Sequence, residues 1–133
     1  MKRRIFVAVG ISKELEDDIL SWEKSFSGLP VRWLEERNFH ITLVPPWYEE
    51  NVEDAIKQLN TVRGESFDVE FNHVGYGPNQ RQPRLIWAEG PTPKEIVDLK
   101  SKLTILLGQK EEMRPLRLHL TLARFRGETF SSF

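Results

Sequence analysis

Two short stretches of this chain share one four-residue pattern: His, an aliphatic residue, Thr, Leu. They read His40-Ile41-Thr42-Leu43 and His119-Leu120-Thr121-Leu122. In an extended strand successive side chains point to opposite faces, so the imidazole and the hydroxyl of each copy share one face and the two aliphatic residues share the other. The pattern therefore predicts two strands, each with a polar face and a face buried in the core.

Two such strands beside a common groove would bring two imidazoles to one substrate. Acid–base chemistry at phosphorus needs this arrangement, because one imidazole takes a proton while the other gives one. The hydroxyls of Thr42 and Thr121 would donate to the non-bridging phosphoryl oxygens. A single His-x-Thr usually marks a surface or core residue, but two of the three histidines stand in the same pattern. The repetition favours a catalytic role for His40 and His119, whereas His73 has no Thr partner and is interpreted as structural.

These motifs and their flanks resemble the 2H phosphoesterase superfamily, in its RNA 2′,3′-cyclic phosphodiesterase or 2′-5′ RNA ligase-like branch. Three further stretches resemble parts of the family. The first strand of the family is similar to Arg4-Ile5-Phe6-Val7-Ala8-Val9, and the segment before its first motif is similar to Val31-Arg32-Trp33. Its middle strand is similar to Pro83-Arg84-Leu85-Ile86-Trp87. The resemblance covers nearly the whole chain. It implies a two-lobed, duplicated cradle of mainly antiparallel sheets with helices packed outside, and a central cleft lined by the two His-x-Thr strands.

The resemblance also implies an activity. The family's enzymes are metal-independent hydrolases that open 2′,3′-cyclic phosphates at the ends of RNA or on nucleotides and give 2′-phosphomonoesters. The resemblance therefore implies this reaction here, with no cofactor and with weak 2′-5′ RNA ligase activity. His40 and His119 would be the catalytic acid and base, with the assignment of the two roles left open. The alternatives are a non-catalytic RNA- or nucleotide-binding module on the same fold, and a structural protein in which the motifs are coincidental.

Basic and aromatic side chains near the motifs are the further candidates for holding the substrate. Arg117 shares a face with His119 by parity, where its guanidinium would attract a phosphate. Arg124 matches the arginine that closes the second motif of the family, but strict alternation places it with the leucines, so it reaches the cleft only if the strand twists or bulges. Aromatic residues can stack on bases, and we choose Phe6 and Trp47 for this role. The other aromatic candidates are Trp33, Tyr48 and Phe125.

The rest of the chain reads as alternating helices and strands, which predicts an α+β fold. Strands are expected over residues 3–9, 31–34, 39–44, 67–74, 85–89 and 116–125, and helices over 12–27, 49–63 and 92–108. Ser12 and Thr92 are the predicted N-caps, with Pro93 at the first helical position. We expect Pro45-Pro46 to end the first motif strand, which would place Trp47 on a loop.

Composition restricts the remaining classes of function. A length of 133 residues predicts a single domain, 1–133, and the absence of cysteine excludes disulfides and thiolate nucleophiles. With two motif histidines and no cysteine, a metal site is not expected. The net charge of −1 argues against a long basic track for nucleic acid, and no apolar run is long enough to span a membrane. We expect a soluble, cytoplasmic protein.

The C-terminal end departs from the family. Members usually continue with further strands after the second motif, whereas this sequence stops at Phe133. The expectation is therefore a shortened family member. Missing strands would leave a sheet edge open, which predicts self-association.

Overall fold

The fold was analysed in a computed structural model, which describes residues 1–64, 66–79 and 81–126. The helices and strands are, in chain order, β1 (Arg3–Gly10), α1 (Lys13–Glu23), β2 (Val31–Trp33), β3 (His40–Glu49), α2 (Val52–Leu59), β4 (His73–Gly77), β5 (Leu85–Glu89), α3 (Lys94–Leu106) and β6 (His119–Phe125), with 3-10 turns at Lys24–Phe26 and Glu36–Asn38. The chain divides into two compact units. The predicted α+β class with mainly antiparallel sheets is confirmed.

Unit 1 consists of Met1–Val9, Thr42–Val69 and Pro91–Arg117. Its strands β1 and β3 form a two-stranded sheet. Helix α3 is tied to this sheet because Lys100 Nζ donates to the main-chain oxygen of Leu43 at 2.6 Å. On the same helix, Ile96 and Leu103 are buried, so the apolar stripe predicted for α3 forms part of the core.

Unit 2 consists of Gly10–Ile41, Glu70–Gly90 and Leu118–Phe133, of which the residues up to 126 are described. It contains an antiparallel sheet with the strand order β2-β6-β5-β4. Helix α1 packs against one face of this sheet. The buried residues of the resulting core are Ile19, Val31, Phe39, Ile86, Ala88, Leu120, Leu122 and Ala123. The opposite face of the sheet carries the polar side chains of β6.

The helix boundaries follow local signals in the sequence. Ser12 is the N-cap of α1, as predicted, and its Oγ accepts a hydrogen bond from Leu15 N at 3.2 Å. Helix α3 ends before Gly108, which has φ +66, a conformation that glycine adopts without steric cost. Its N-cap is Pro93 rather than Thr92. The predicted cap was therefore wrong by one residue, and Pro93 precedes the first helical position.

Several predicted strand and helix boundaries were wrong, among them the start of β6, which is His119 rather than residue 116. Strand β3 continues through Pro45-Pro46, so Trp47 lies on a strand and not on a loop. A strand with one partner needs ladder N–H groups on one side only, so it tolerates proline better than a central strand does. Helix α2 is shorter than the predicted 49–63, and residues 66–72 alternate between exposed and half-buried without forming a strand.

Candidate active site

Strand β6 presents the second motif as its alternation predicts. Leu120 and Leu122 are 0% and 2% exposed and belong to the unit 2 core. His119 and Thr121 are half-buried on the opposite face. The imidazole and the hydroxyl therefore share the face of the sheet that α1 does not cover.

A β-bulge brings Arg124 to this same face. Thr121 and Ala123 pair with adjacent residues of β5, so Leu122 is an extra residue on β6. The alternation consequently changes phase at this point: Ala123 is buried beside Leu122, Arg124 is exposed and Phe125 packs against the core. The structure thus meets the condition under which Arg124 was expected to leave the face of the leucines.

A second guanidinium, which the sequence analysis did not select, lies next to Arg124. Arg32 on β2 is its direct cross-strand partner, and both side chains are exposed. Like charges in this position repel each other, and neither arginine has an ion-pair partner among the residues that the structure describes. An anion bound between them would relieve the repulsion.

Strand β5 adds two side chains to the same face. Trp87 lies opposite Thr121, and Glu89 lies opposite His119. The ring centroids of Trp87 and His119 are 4.7 Å apart, with the ring planes inclined at 46°. Sequence reasoning missed both residues, although the alternation Trp87-x-Glu89 on a strand of the predicted hairpin was the available signal.

His73, interpreted from the sequence as structural, also lies in this region. It is the first residue of β4 and the cross-strand partner of Glu89. Its Nε2 lies 2.6 Å from Glu89 Oε2. One row across three strands therefore contains His119, Glu89 and His73.

The first motif begins β3 with a locally fixed ring. His40 Nδ1 lies 2.6 Å from the main-chain oxygen of Asn38. A carbonyl oxygen only accepts, so Nδ1 carries the proton, and Nε2 is the nitrogen with the lone pair when the ring is neutral. His40 belongs to unit 2, as His119 does, whereas Thr42 is a half-buried residue of unit 1.

The two imidazoles are attached to one core. Phe39, which precedes His40, is 3% exposed and belongs to the same buried cluster as Leu120, which follows His119. Each motif histidine is thus adjacent in sequence to a buried residue of the unit 2 core. The arrangement supplies two imidazoles, a threonine hydroxyl and two guanidinium groups within one unit, a set suited to proton transfer at a phosphate ester.

The remaining predicted site residues lie in unit 1. Arg117 is exposed and precedes β6, and Phe6 on β1 is 47% exposed. Trp47 is half-buried, and its Nε1 is buried without a hydrogen-bond partner in the described part of the chain. Their roles in holding the substrate, like that of Thr42, stay predictions.

Two further expectations concern metals and membranes. Within residues 1–64, 66–79 and 81–126, no group of three or more His, Cys, Asp or Glu side chains has the geometry to hold a metal ion. In the same residues, no helix has the length and apolar character to cross a bilayer.

Residues 9–87 match the model of a protein family described as LigT like Phosphoesterase. The match covers more than half of the chain and includes the first His-x-Thr motif. The chain belongs to the LigT-like phosphoesterases. This membership confirms the resemblance to 2H phosphoesterases that the two motifs indicated.

Two curated relatives and a solved structure are similar to this chain over more of its length than the family model. An RNA 2′,3′-cyclic phosphodiesterase of Archaeoglobus fulgidus is 29% identical over 128 residues, which are 91% of this chain and 72% of the relative. An RNA 2′,3′-cyclic phosphodiesterase of Aeropyrum pernix is 28% identical over 125 residues, which are 90% of this chain and 68% of the relative. The crystal structure of E. coli LigT complexed with 3′-AMP has a TM-score of 0.75 at 22% identity, covering 96% of this chain and 76% of LigT. This LigT-like phosphoesterase therefore has the LigT fold.

Proposed function

We propose that this LigT-like phosphoesterase is a metal-independent RNA 2′,3′-cyclic phosphodiesterase. The observation that carries the proposal is the attachment of two His-x-Thr imidazoles, His40 and His119, to one core in one unit. Two relatives with 28% and 29% identity bear this activity as their name, which supports the same reaction here. The substrate is the 2′,3′-cyclic phosphate at an RNA end or on a nucleotide.

The reaction needs one proton acceptor and one proton donor. The neutral imidazole takes a proton from water as the water oxygen attacks phosphorus, and the bond from phosphorus to the 3′-oxygen breaks. The protonated imidazole gives its proton to that 3′-oxygen, which leaves a 2′-phosphomonoester. His40 presents Nε2 for either role, because Nδ1 is engaged with Asn38. The division of the two roles between the histidines stays open.

Charge develops on the non-bridging oxygens during attack, and donors on the same face stabilise it. Thr121 supplies a hydroxyl, and Arg124 supplies a guanidinium that the bulge turns away from the core. Arg32, opposite Arg124, would hold the next phosphate of an RNA chain, since two adjacent guanidinium groups favour a second anion. Thr42 is the corresponding donor of the first motif.

Three finer properties belong to this proposal. Weak 2′-5′ RNA ligase activity would use a 5′-hydroxyl in place of water: its oxygen attacks phosphorus and gives its proton to one imidazole, the bond to the 3′-oxygen breaks, and the other imidazole protonates that oxygen, which leaves a 2′-5′ linkage. Self-association through an open sheet edge stays a prediction, which light scattering tests, and a clean monomer would contradict it. A cytoplasmic location also stays a prediction.

The test is hydrolysis of a nucleoside 2′,3′-cyclic phosphate in excess chelator, with the product identified by its position of phosphorylation. We expect turnover to persist and to give the 2′-phosphate. Turnover that stops in chelator would contradict metal independence. Binding without turnover by the folded protein would instead favour the binding-module alternative.

A further inference from the structure

Glu89 links two other side chains on the face of the unit 2 sheet that carries His119. Its Oε1 accepts a hydrogen bond from Trp87 Nε1. Its Oε2 lies 2.6 Å from His73 Nε2, and because an ionised carboxylate only accepts, His73 donates this bond. The other nitrogen of His73 lies 2.7 Å from Asn72 Oδ1. We call His73, Trp87 and Glu89 the Glu89 network.

Strand β4 leaves room for the indole of Trp87. A Cβ at Gly77 would overlap the six-membered ring, so the indole lies directly across the backbone at this position. A Cβ at Gly75 would stand 3.4 Å from Glu89 Oε1 and 3.6 Å from Trp87 Nε1, which is ordinary contact. The indole therefore depends on a missing side chain at position 77 and tolerates one at position 75.

The same indole contacts the motif histidine, with 4.7 Å between the ring centroids of Trp87 and His119. Three features thus restrict the indole: the hydrogen bond to Glu89, the backbone at Gly77 and the ring of His119. A tryptophan side chain without a partner for Nε1 would be freer to rotate about its terminal torsion angle, which has a broad distribution. The orientation of the indole in turn limits the positions that the His119 ring adopts.

The Glu89 network contributes little to the stability of the fold. The side chain of His73 is 59% exposed and that of Glu89 is 35% exposed, and an ion pair this open to solvent adds little to the free energy of unfolding. Positioning gives a stronger reason for the network, because displacing a catalytic group by about 1 Å lowers a rate by up to roughly a hundredfold.

We propose that Trp87, Glu89 and His73 are positioning residues that hold the imidazole of His119 in its orientation for proton transfer. This inference rests on the proposed function of His119. Glu89 acts through Trp87, and His73 acts through Glu89, so none of the three needs to touch the substrate.

The first arm of the test removes the acceptor of the indole hydrogen bond. In Glu89→Ala, kcat on a 2′,3′-cyclic phosphate should fall about tenfold with KM within about twofold. Glu89→Gln should restore most of kcat, because its amide oxygen still accepts from Trp87 Nε1. A loss confined to KM, or no loss in either parameter, would overturn the positioning role.

The second arm moves the indole without touching Glu89. Gly77→Ala should lower kcat by about as much as Glu89→Ala, whereas Gly75→Ala on the same strand should stay within about twofold of the wild type. Trp87→Phe keeps an aromatic ring but removes the Nε1 donor of the hydrogen bond to Glu89. It replaces Gly77→Ala in the test if thermal unfolding shows that Gly77→Ala does not fold. Equal activity of Trp87→Phe and the wild type would contradict the proposal.

A readout that does not require turnover separates this inference from the proposed function. The ring signals of His119 in NMR spectra of the free protein should shift in Glu89→Ala and remain in place in Gly75→Ala. Should the wild type fail to hydrolyse any cyclic phosphate, the proposed function is wrong while these shifts still report on positioning. Unchanged ring signals in folded Glu89→Ala would overturn the inference by themselves.

Discussion

The two motif histidines lie in one unit but are held in different ways. The ring of His40 donates from Nδ1 to the main-chain oxygen of Asn38, two residues earlier, at 2.6 Å. The ring of His119 instead contacts the indole of Trp87, a residue of the neighbouring strand β5, at 4.7 Å between centroids. A main-chain oxygen two residues away contacts the first imidazole, and a side chain of the neighbouring strand contacts the second.

Because of this difference, we expect different substitutions to affect the ring orientation of each histidine. A hydrogen bond to a main-chain oxygen survives most changes of side chain, because every residue carries that oxygen. A contact that passes through Trp87 and Glu89 depends on the identity of both side chains. We therefore expect His119 to be the more sensitive of the two to changes elsewhere in unit 2.

We expect the largest effect from removing the imidazole of either motif histidine. His40→Ala and His119→Ala should each lower kcat on a 2′,3′-cyclic phosphate by about 10²–10⁴-fold, because each removes one partner of the proton transfer. Steady-state kinetics of the purified variants measures this loss, with thermal unfolding as the check on folding. Near-wild-type turnover in either variant would remove that histidine from the catalytic pair.

The second prediction concerns the core that carries both imidazoles. Leu120 is fully buried in the same core cluster as Phe39, so Leu120→Ala should lower the free energy of unfolding by about 3 kcal/mol. Denaturant titration measures it. The matched control is Ile105→Ala on α3, where the side chain is 69% exposed and a change below about 0.5 kcal/mol is expected. Equal losses in the two variants would contradict the packing described.

The third prediction sharpens the His119 side by testing the paired guanidinium groups. Arg32→Ala should raise KM for an RNA oligonucleotide with a 2′,3′-cyclic end by about tenfold and change KM for the mononucleotide by less than about twofold. Arg37→Ala is the control, since that side chain pairs with Glu35 at 2.8 Å. Equal effects of Arg32→Ala on both substrates would place Arg32 at the reacting phosphate.

The smallest expected effect concerns the His40 side. Asn38→Ala keeps the main-chain oxygen that accepts from His40 Nδ1, so kcat should stay within about twofold of the wild type. Steady-state kinetics on the cyclic mononucleotide measures kcat for Asn38→Ala. Glu89→Ala, for which a larger loss of kcat is expected, is measured beside it. A tenfold loss in Asn38→Ala would mean that the orientation of His40 depends on more than its own backbone.

Patterns of short range were predictable from the sequence. The alternation of the second motif placed Leu120 in the core and His119 on the opposite face, and Ser12 was identified as the cap of α1. Both depend on residues a few positions apart, whose geometry the strand or helix determines. The α+β class followed from the same kind of pattern.

Features that depend on the partner strand were not predictable. The bulge that exposes Arg124 exists only in the register of β6 against β5, and the pairing of Arg32 with Arg124 exists only in the register of β2 against β6. The link from Glu89 to His73 likewise requires the β4–β5 pairing. Sequence spacing alone gives none of these three registers, so these residues were missed or left conditional.

The proposed roles of His40 and His119 as an acid–base pair can be tested by the pH dependence of kcat/KM. We expect a bell-shaped profile between about pH 5 and pH 9 on a 2′,3′-cyclic phosphate in excess chelator, because one imidazole must be neutral and the other protonated. The values read from its two limbs belong to the pair. A flat profile over this range, from a protein that remains folded, would mean that the two imidazoles do not act as an acid–base pair.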